Sequence, residues 1–297
     1  MRNIIISLSI FILLLSGCSN NTDKNGPNIV EIVAKEYAFE SPEKIPAGWT
    51  RFRMVNEGNE EHFMLINPLS EGISIDAIRE GGRFIQGLHN QYDKDLITKE
   101  DIYDSLSTAF GKPNSEVNYN GGPGFVSMGH TTEATTYLEP GRYVIECYIR
   151  APNGVQHNVL GMMKLLEVTD NDTSSEAPDA DETIVLNNNN IIAEDSLEKG
   201  NYTFAIDFKE HPEGYIGNDI HLVQLNGDTE LDTVAKWMDV FEKDGLVSPA
   251  PVKFLGGTHE RPKGETAYFT VDLAPGEYAW ISELDFSDRK WKKFTVK

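Results

Sequence analysis

Two stretches far apart in the chain follow one pattern, and this repeat constrains the fold more than any other feature. Thr136-Tyr137-Leu138-Glu139-Pro140-Gly141-Arg142-Tyr143-Val144-Ile145-Glu146-Cys147 lies over Thr270-Val271-Asp272-Leu273-Ala274-Pro275-Gly276-Glu277-Tyr278-Ala279-Trp280-Ile281-Ser282, with one small offset before the Pro-Gly pair. Pro-Gly makes the turn, and the alternation after it is that of a half-buried strand. The segments upstream match as well. Ile29 to Lys35, Trp49 to Asn56 and His62 to Ile66 are β-rich in the first half, as are Thr183 to Leu186, Tyr202 to Phe208 and His221 to Leu225 in the second. A helical insertion follows in each. Apolar residues recur at helical spacing at Ile75, Ile78, Phe84, Ile85 and Leu88, and again at Leu231, Val234, Trp237, Met238 and Phe241, with Gly81-Gly82 expected to interrupt the first set. Short strands joined by turns, with one helical excursion per unit, predict an all-β chain of two tandem sandwiches. Parallel α/β units would need a helix between every pair of strands.

Between the copies lies Thr169 to Thr183, TDNDTSSEAPDADET, which is acidic, holds Ser and Pro, and lacks apolar periodicity, as a linker does. Asp170, Asp172 and Ser174 have the spacing that opens a calcium loop. Ser175 stands where that loop needs Gly and Asp181 where it needs a bidentate Glu, so calcium is not expected. The predicted units are residues 29–169 and 184–297, joined by 170–183.

At the N-terminus one charge, Arg2, precedes an apolar run from Ile4 to Leu15, the order of a secretory signal peptide. The run is shorter than the ~20 residues that a helix needs to cross a bilayer. It ends in Leu15-Ser16-Gly17-Cys18, which resembles the bacterial lipobox. That resemblance implies removal of residues 1–17, a diacylated Cys18 and a polar tether, residues 18–28, carrying the rest of the chain outside the cytoplasm on the cell envelope membrane.

With 47 acidic against 26 basic residues among 297, and a formal net charge of -21, the surface disfavours nucleic acid and anionic lipid headgroups as partners. There are two cysteines. If lipid consumes Cys18, Cys147 has no partner for a disulfide, and a lone thiol in an oxidising compartment needs an occupation.

Four residues of the first half offer one: His62, Cys147, His157 and Met162. The last three stand in CYIRAPNGVQHNVLGM, directly after the strand that Pro140-Gly141 begins. This arrangement resembles the cupredoxin family, and the resemblance extends through Ala34-Lys35-Glu36-Tyr37-Ala38-Phe39, Pro46-Ala47-Gly48 and Val55-Asn56-Glu57-Gly58-Asn59-Glu60-Glu61-His62 to Gly161-Met162. It implies a Greek-key sandwich and one type 1 copper per chain, held by two imidazoles, a thiolate and a weak axial thioether, so that both oxidation states fit nearly the same cage. A thioether is a poor zinc ligand, so Met162 favours copper over zinc. The span between Cys147 and His157 is long for the family, as is the insertion between Leu69 and Glu133, which covers the metal or forms a partner surface.

The second half keeps the scaffold and loses these ligands. His221 aligns with His62, but Ser282 takes the place of Cys147, and no His or Met follows, so a degenerate unit without copper is expected. His130 is expected in a loop, as is His259 beside Glu260 and Arg261, and His89 and His211 follow no pattern. No Gly-x-Ser-x-Gly elbow, zinc-protease helix or phosphate-binding Gly loop occurs, so no enzyme is expected. Two readings stand: a lipid-anchored copper protein that passes electrons or handles copper, with a redox or copper-delivery protein as partner, and a metal-free interaction lipoprotein on the same scaffold.

Overall fold

The computed structural model describes residues 26–111, 118–171, 173–188, 190–213, 217–283 and 291–297. Cys18 and the signal and tether readings, apart from the last residues of the tether, lie outside them. The first half runs β1 (Asn28–Lys35), β2 (Ala38–Glu40), β3 (Lys44–Pro46), β4 (Gly48–Asn56), β5 (Leu65–Pro68), α1 (Ile75–Tyr92), α2 (Lys99–Phe110), β6 (Thr131–Leu138), β7 (Gly141–Glu146), α3 (His157–Leu160) and β8 (Met163–Thr169). The second half runs β9 (Glu182–Asn187), β10 (Asn190–Ile192), β11 (Ser196–Leu197), β12 (Gly200–Phe208), β13 (Ile220–Gln224), α4 (Leu231–Met238), β14 (Lys253–Thr258), β15 (Thr266–Leu273), β16 (Gly276–Ile281) and β17 (Trp291–Val296). The architecture is mostly β with few helices.

Alternation decides which faces are buried. Phe52 and Met54 of β4 point inward between half-buried Arg51 and Arg53, and β12 repeats the pattern with Phe204, Ile206 and Phe208. The strand orders then mirror each other. One eight-stranded sheet reads β10-β9-β12-β15-β6-β4-β1-β2, and it is backed by β3-β8-β7-β5 in one half and β11-β17-β16-β13-β14 in the other. Parallel pairs recur at matched places, β1 with β4 and β9 with β12, β3 with β8 and β11 with β17. Even a side-chain detail repeats. Tyr143 donates its hydroxyl to the Glu139 carbonyl and Tyr278 to that of Ala274, each four residues back across the Pro-Gly corner.

The structure differs from the sequence expectation in three respects. First, the two copies are not separate bodies. β15 pairs with β6, Phe269 opposite Ala134, so the long sheet runs through both halves, and one apolar core joins Phe63 and Phe125 of the first half to Trp237 and Phe254 of the second. Second, the matched strands around Pro-Gly are not hairpins, since β6 lies in the long sheet and β7 in the opposing one. The corner carries the chain from sheet to sheet. Third, Gly81-Gly82 does not interrupt α1, which begins at the Ser74 cap and continues to Tyr92. A Cβ on Gly81 would meet Phe110 of α2 at 3.8 Å and one on Gly82 would meet Asn158 of α3 at 3.5 Å, so the glycines mark where neighbouring helices approach. The insertion also holds α2, which a Thr98–Asp101 capping box opens. No described helix is long and apolar enough to cross a membrane.

Candidate metal centre

The chain brings three of the sequence-predicted ligands to one point. One donor atom each from His62, Cys147 and His157 lies within 4.8 Å of the others, and all three residues are buried. Cys147 follows the last residue of β7, while His157 opens α3. Between them the loop folds back on itself, with Ala151 donating to the Val155 carbonyl and His157 to that of Ile149, which sets the Cys147 Sγ 3.6 Å from the His157 Nδ1. His62 precedes β5 and is held by reciprocal backbone bonds with Val126, placing its ring 5.0 Å from that of His157. Met162 is fully buried beside them. Its N–H donates to the His157 carbonyl and its own carbonyl accepts from the Cys147 N–H.

Further residues, which the sequence reading did not assign to the site, hold this group in place. The His157 Nε2 lies 2.7 Å from a Glu60 carboxylate oxygen, whose partner oxygen accepts from the Tyr37 hydroxyl. The carboxylate therefore turns Nδ1 toward sulfur. Gly58 lets the His62 ring come close, since a Cβ there would stand 2.5 Å from Nε2. The long ligand loop is clamped from both sides. On α1, Gln86 accepts from the Gln156 N–H and donates to the Gly154 carbonyl, and Asp93, which caps the helix at its C-terminus, pairs with buried Arg150. From the second half, Leu246 accepts from the Arg150 N–H and Ser248 donates to the Arg150 carbonyl. The insertion thus fastens the ligand loop.

Burial sets the protonation states. It pulls His62 and His157 down to about 3, so both imidazoles are neutral at ordinary pH. It pushes the Cys147 thiol up to about 12, although the amides of Phe63 and Ile149 point at the sulfur and oppose the rise. Neither ring nitrogen of His62 has a hydrogen-bond partner. An unmet buried polar atom costs about 1–3 kcal/mol, and a ligand would relieve it. Two neutral imidazoles, a thiol and a neighbouring thioether form a soft donor set, which suits copper.

One reading of the remaining histidines needs correction. Leu65 pairs with Glu146 and His221 with Ile281, and Glu146 and Ile281 stand equally far past their Pro-Gly corners. His221 is therefore the counterpart of Leu65, and the place of His62 falls to Asn218. His259 lies in a loop just past β14, as expected, and is fully buried there in a second group with Asp219 and His221. His130 lies outside both groups and its carbonyl accepts from the Asn56 N–H. His89 is buried in α1, and His211 accepts from the Asn218 N–H.

No protein-family model matches the chain, and no curated protein matches it. Among solved structures, it is similar to the reduced auracyanin of Roseiflexus castenholzii, with 16% identity over 48% of this chain and 98% of that one and a TM-score of 0.29. Auracyanin A of Chloroflexus aurantiacus, described as a blue copper protein, matches at 17% identity over 48% of this chain and 100% of that one, with a TM-score of 0.30. A multicopper oxidase matches at 12% identity over 91% of this chain and 88% of that one, with a TM-score of 0.24.

Proposed function

We propose that the first half is a type 1 copper centre, with His62, Cys147 and His157 as the strong ligands and Met162 as the weak axial one, and that the protein passes single electrons or handles copper at the cell envelope. The observation that carries this reading is the convergence of one buried thiol and two neutral imidazoles, their donor atoms all within 4.8 Å. Bound copper would supply reversible one-electron chemistry. The protein would supply the rest: Glu60 holds the His157 ring, the Phe63 and Ile149 amides steady the sulfur as it loses its proton, and the sheets exclude water. A cage fixed by packing would change little between oxidation states.

The copper reading is tested on the purified full chain. One Cu(II) per chain should give an intense visible sulfur-to-copper absorption, absent in Cys147→Ser and weakened or reshaped in His157→Ala. Met162→Leu should keep the colour and raise the potential. A folded chain that stays colourless with Cu(II) present would sink the reading and leave a metal-free interaction lipoprotein. The lipobox resemblance supports a lipid anchor at Cys18, with an envelope redox or copper-delivery protein as partner. Cys18→Ala should release the protein from membranes.

A further inference from the structure

We propose a second metal site, in the other half: a divalent cation of the nitrogen- and oxygen-binding class, Mn(II) or Zn(II), held by Asp219 and His259, with Glu260 beside His259 and His221 orienting Asp219. The inference does not rest on the copper reading. Donor atoms of Asp219, His221 and His259 lie within 4.8 Å of one another, and all three residues are buried.

The hydrogen bonds assign the roles. Asp219 is aimed by its surroundings, since its Oδ1 accepts from the Ser282 hydroxyl at 2.8 Å and from the Glu283 N–H at 2.7 Å. Its Oδ2 lies 2.6 Å from the His221 Nε2. The Phe125 N–H donates to the His221 Nδ1, so the ring proton sits on Nε2 and goes to Asp219. His221 therefore holds the carboxylate and is not itself a free donor. His259 differs: its side chain is wholly buried and neither ring nitrogen has a hydrogen-bond partner. The nearest acid, the Glu260 Oε2, stands 3.6 Å from its Nδ1 and also lacks a hydrogen-bond partner.

Charge points the same way. Asp219, Glu260 and Glu283 are each no more than 1% exposed, and among the described residues no Lys or Arg side chain pairs with any of them. Buried carboxylates need a counter-charge, and a dication at this point supplies one while engaging the free atoms of His259 and Glu260. With imidazole and carboxylate donors and no thiol or thioether, the set suits Mn(II) or Zn(II) rather than the softer copper of the first centre. Glu260 and Tyr148 line a cleft of about 390 Å³ between α1, α2 and the sheets.

The test uses the full chain, freed of metal with a chelator and titrated with Mn(II), the free ion being followed by its electron paramagnetic resonance signal. One Mn(II) per chain is expected, displaced by Zn(II), unchanged in Cys147→Ser, and bound about tenfold or more weakly in His259→Gln and Glu260→Gln. Circular dichroism and melting of each metal-free variant report whether it folds. Should His259→Gln fail to fold, Glu260→Gln decides. No Mn(II) uptake by the folded wild type, or uptake unchanged in a folded variant, overturns the proposal.

Discussion

The Sγ of Cys147 and the Nδ1 of His157 lie 3.6 Å apart, although a long loop separates the two residues in sequence. That closeness is imposed from outside the loop. Gln86 of α1 and Asp93 at its C-terminal end grip one side of it, and the segment around Leu246 and Ser248 grips the other. The second half therefore serves the first centre mechanically.

Glu60 sets the orientation and basicity of His157 through its contact with Nε2. Glu60→Gln keeps the shape and removes the negative charge. Copper affinity should fall about 10- to 100-fold, and the reduction potential should rise because the lost anion favoured Cu(II). A potentiometric titration with a copper-chelator competition measures both, and an unchanged potential would count against this role for Glu60.

Gly58 is required by space. In Gly58→Ala the new methyl would fall 2.5 Å from the His62 Nε2, so ring or backbone must move. Thermal unfolding of the metal-free protein should show a loss of about 1–3 kcal/mol. Copper colour should weaken in the same variant, and full colour with wild-type stability would show that the loop yields freely.

His89 gives the metal-free protein a pH dependence unconnected with either centre. Burial first and Arg150 second lower it from 6.5 to about 4. Between those values the unfolded chain binds the extra proton and the folded chain does not, so acid favours unfolding. The contribution is complete above pH 6.5 and disappears as the pH falls to 4, up to about 3 kcal/mol. His89→Gln should flatten the fall in melting temperature over that range relative to wild type.

Because β15 pairs with β6 and one core spans both halves, the protein should melt in a single transition. Differential scanning calorimetry of the metal-free full chain checks this. Two separated transitions would mean that the shared sheet adds little coupling.

The repeat was legible because a Pro-Gly corner followed by an alternating strand leaves a mark in the order of residues, and the candidate ligands Cys147, His157 and Met162 stood out because they follow that corner. Edge-to-edge joining of β6 and β15 leaves no such mark, since a strand carries the same alternation whether its edge is free or paired. Gly81-Gly82 was misjudged because helix propensity counts the missing side chains and not the helices that pack into the space. Glu60 and His259 looked like ordinary polar residues of an acidic chain. Only the tertiary structure buries His259 and sets Glu60 against His157.

His62-Phe63 and Cys147-Tyr148 are neighbours in sequence that serve different chambers. His62 and Cys147 face His157, whereas the Phe63 ring lies 4.5 Å from that of His259 and the Tyr148 hydroxyl bonds to Glu283. A single-residue deletion ahead of Cys147 would put the Tyr148 phenol in the place of the thiol on one side of this wall and Ile149 in the place of the phenol on the other. Drift in the length of β7 would therefore damage both chambers at once, so that region should vary by substitution and almost never by insertion or loss.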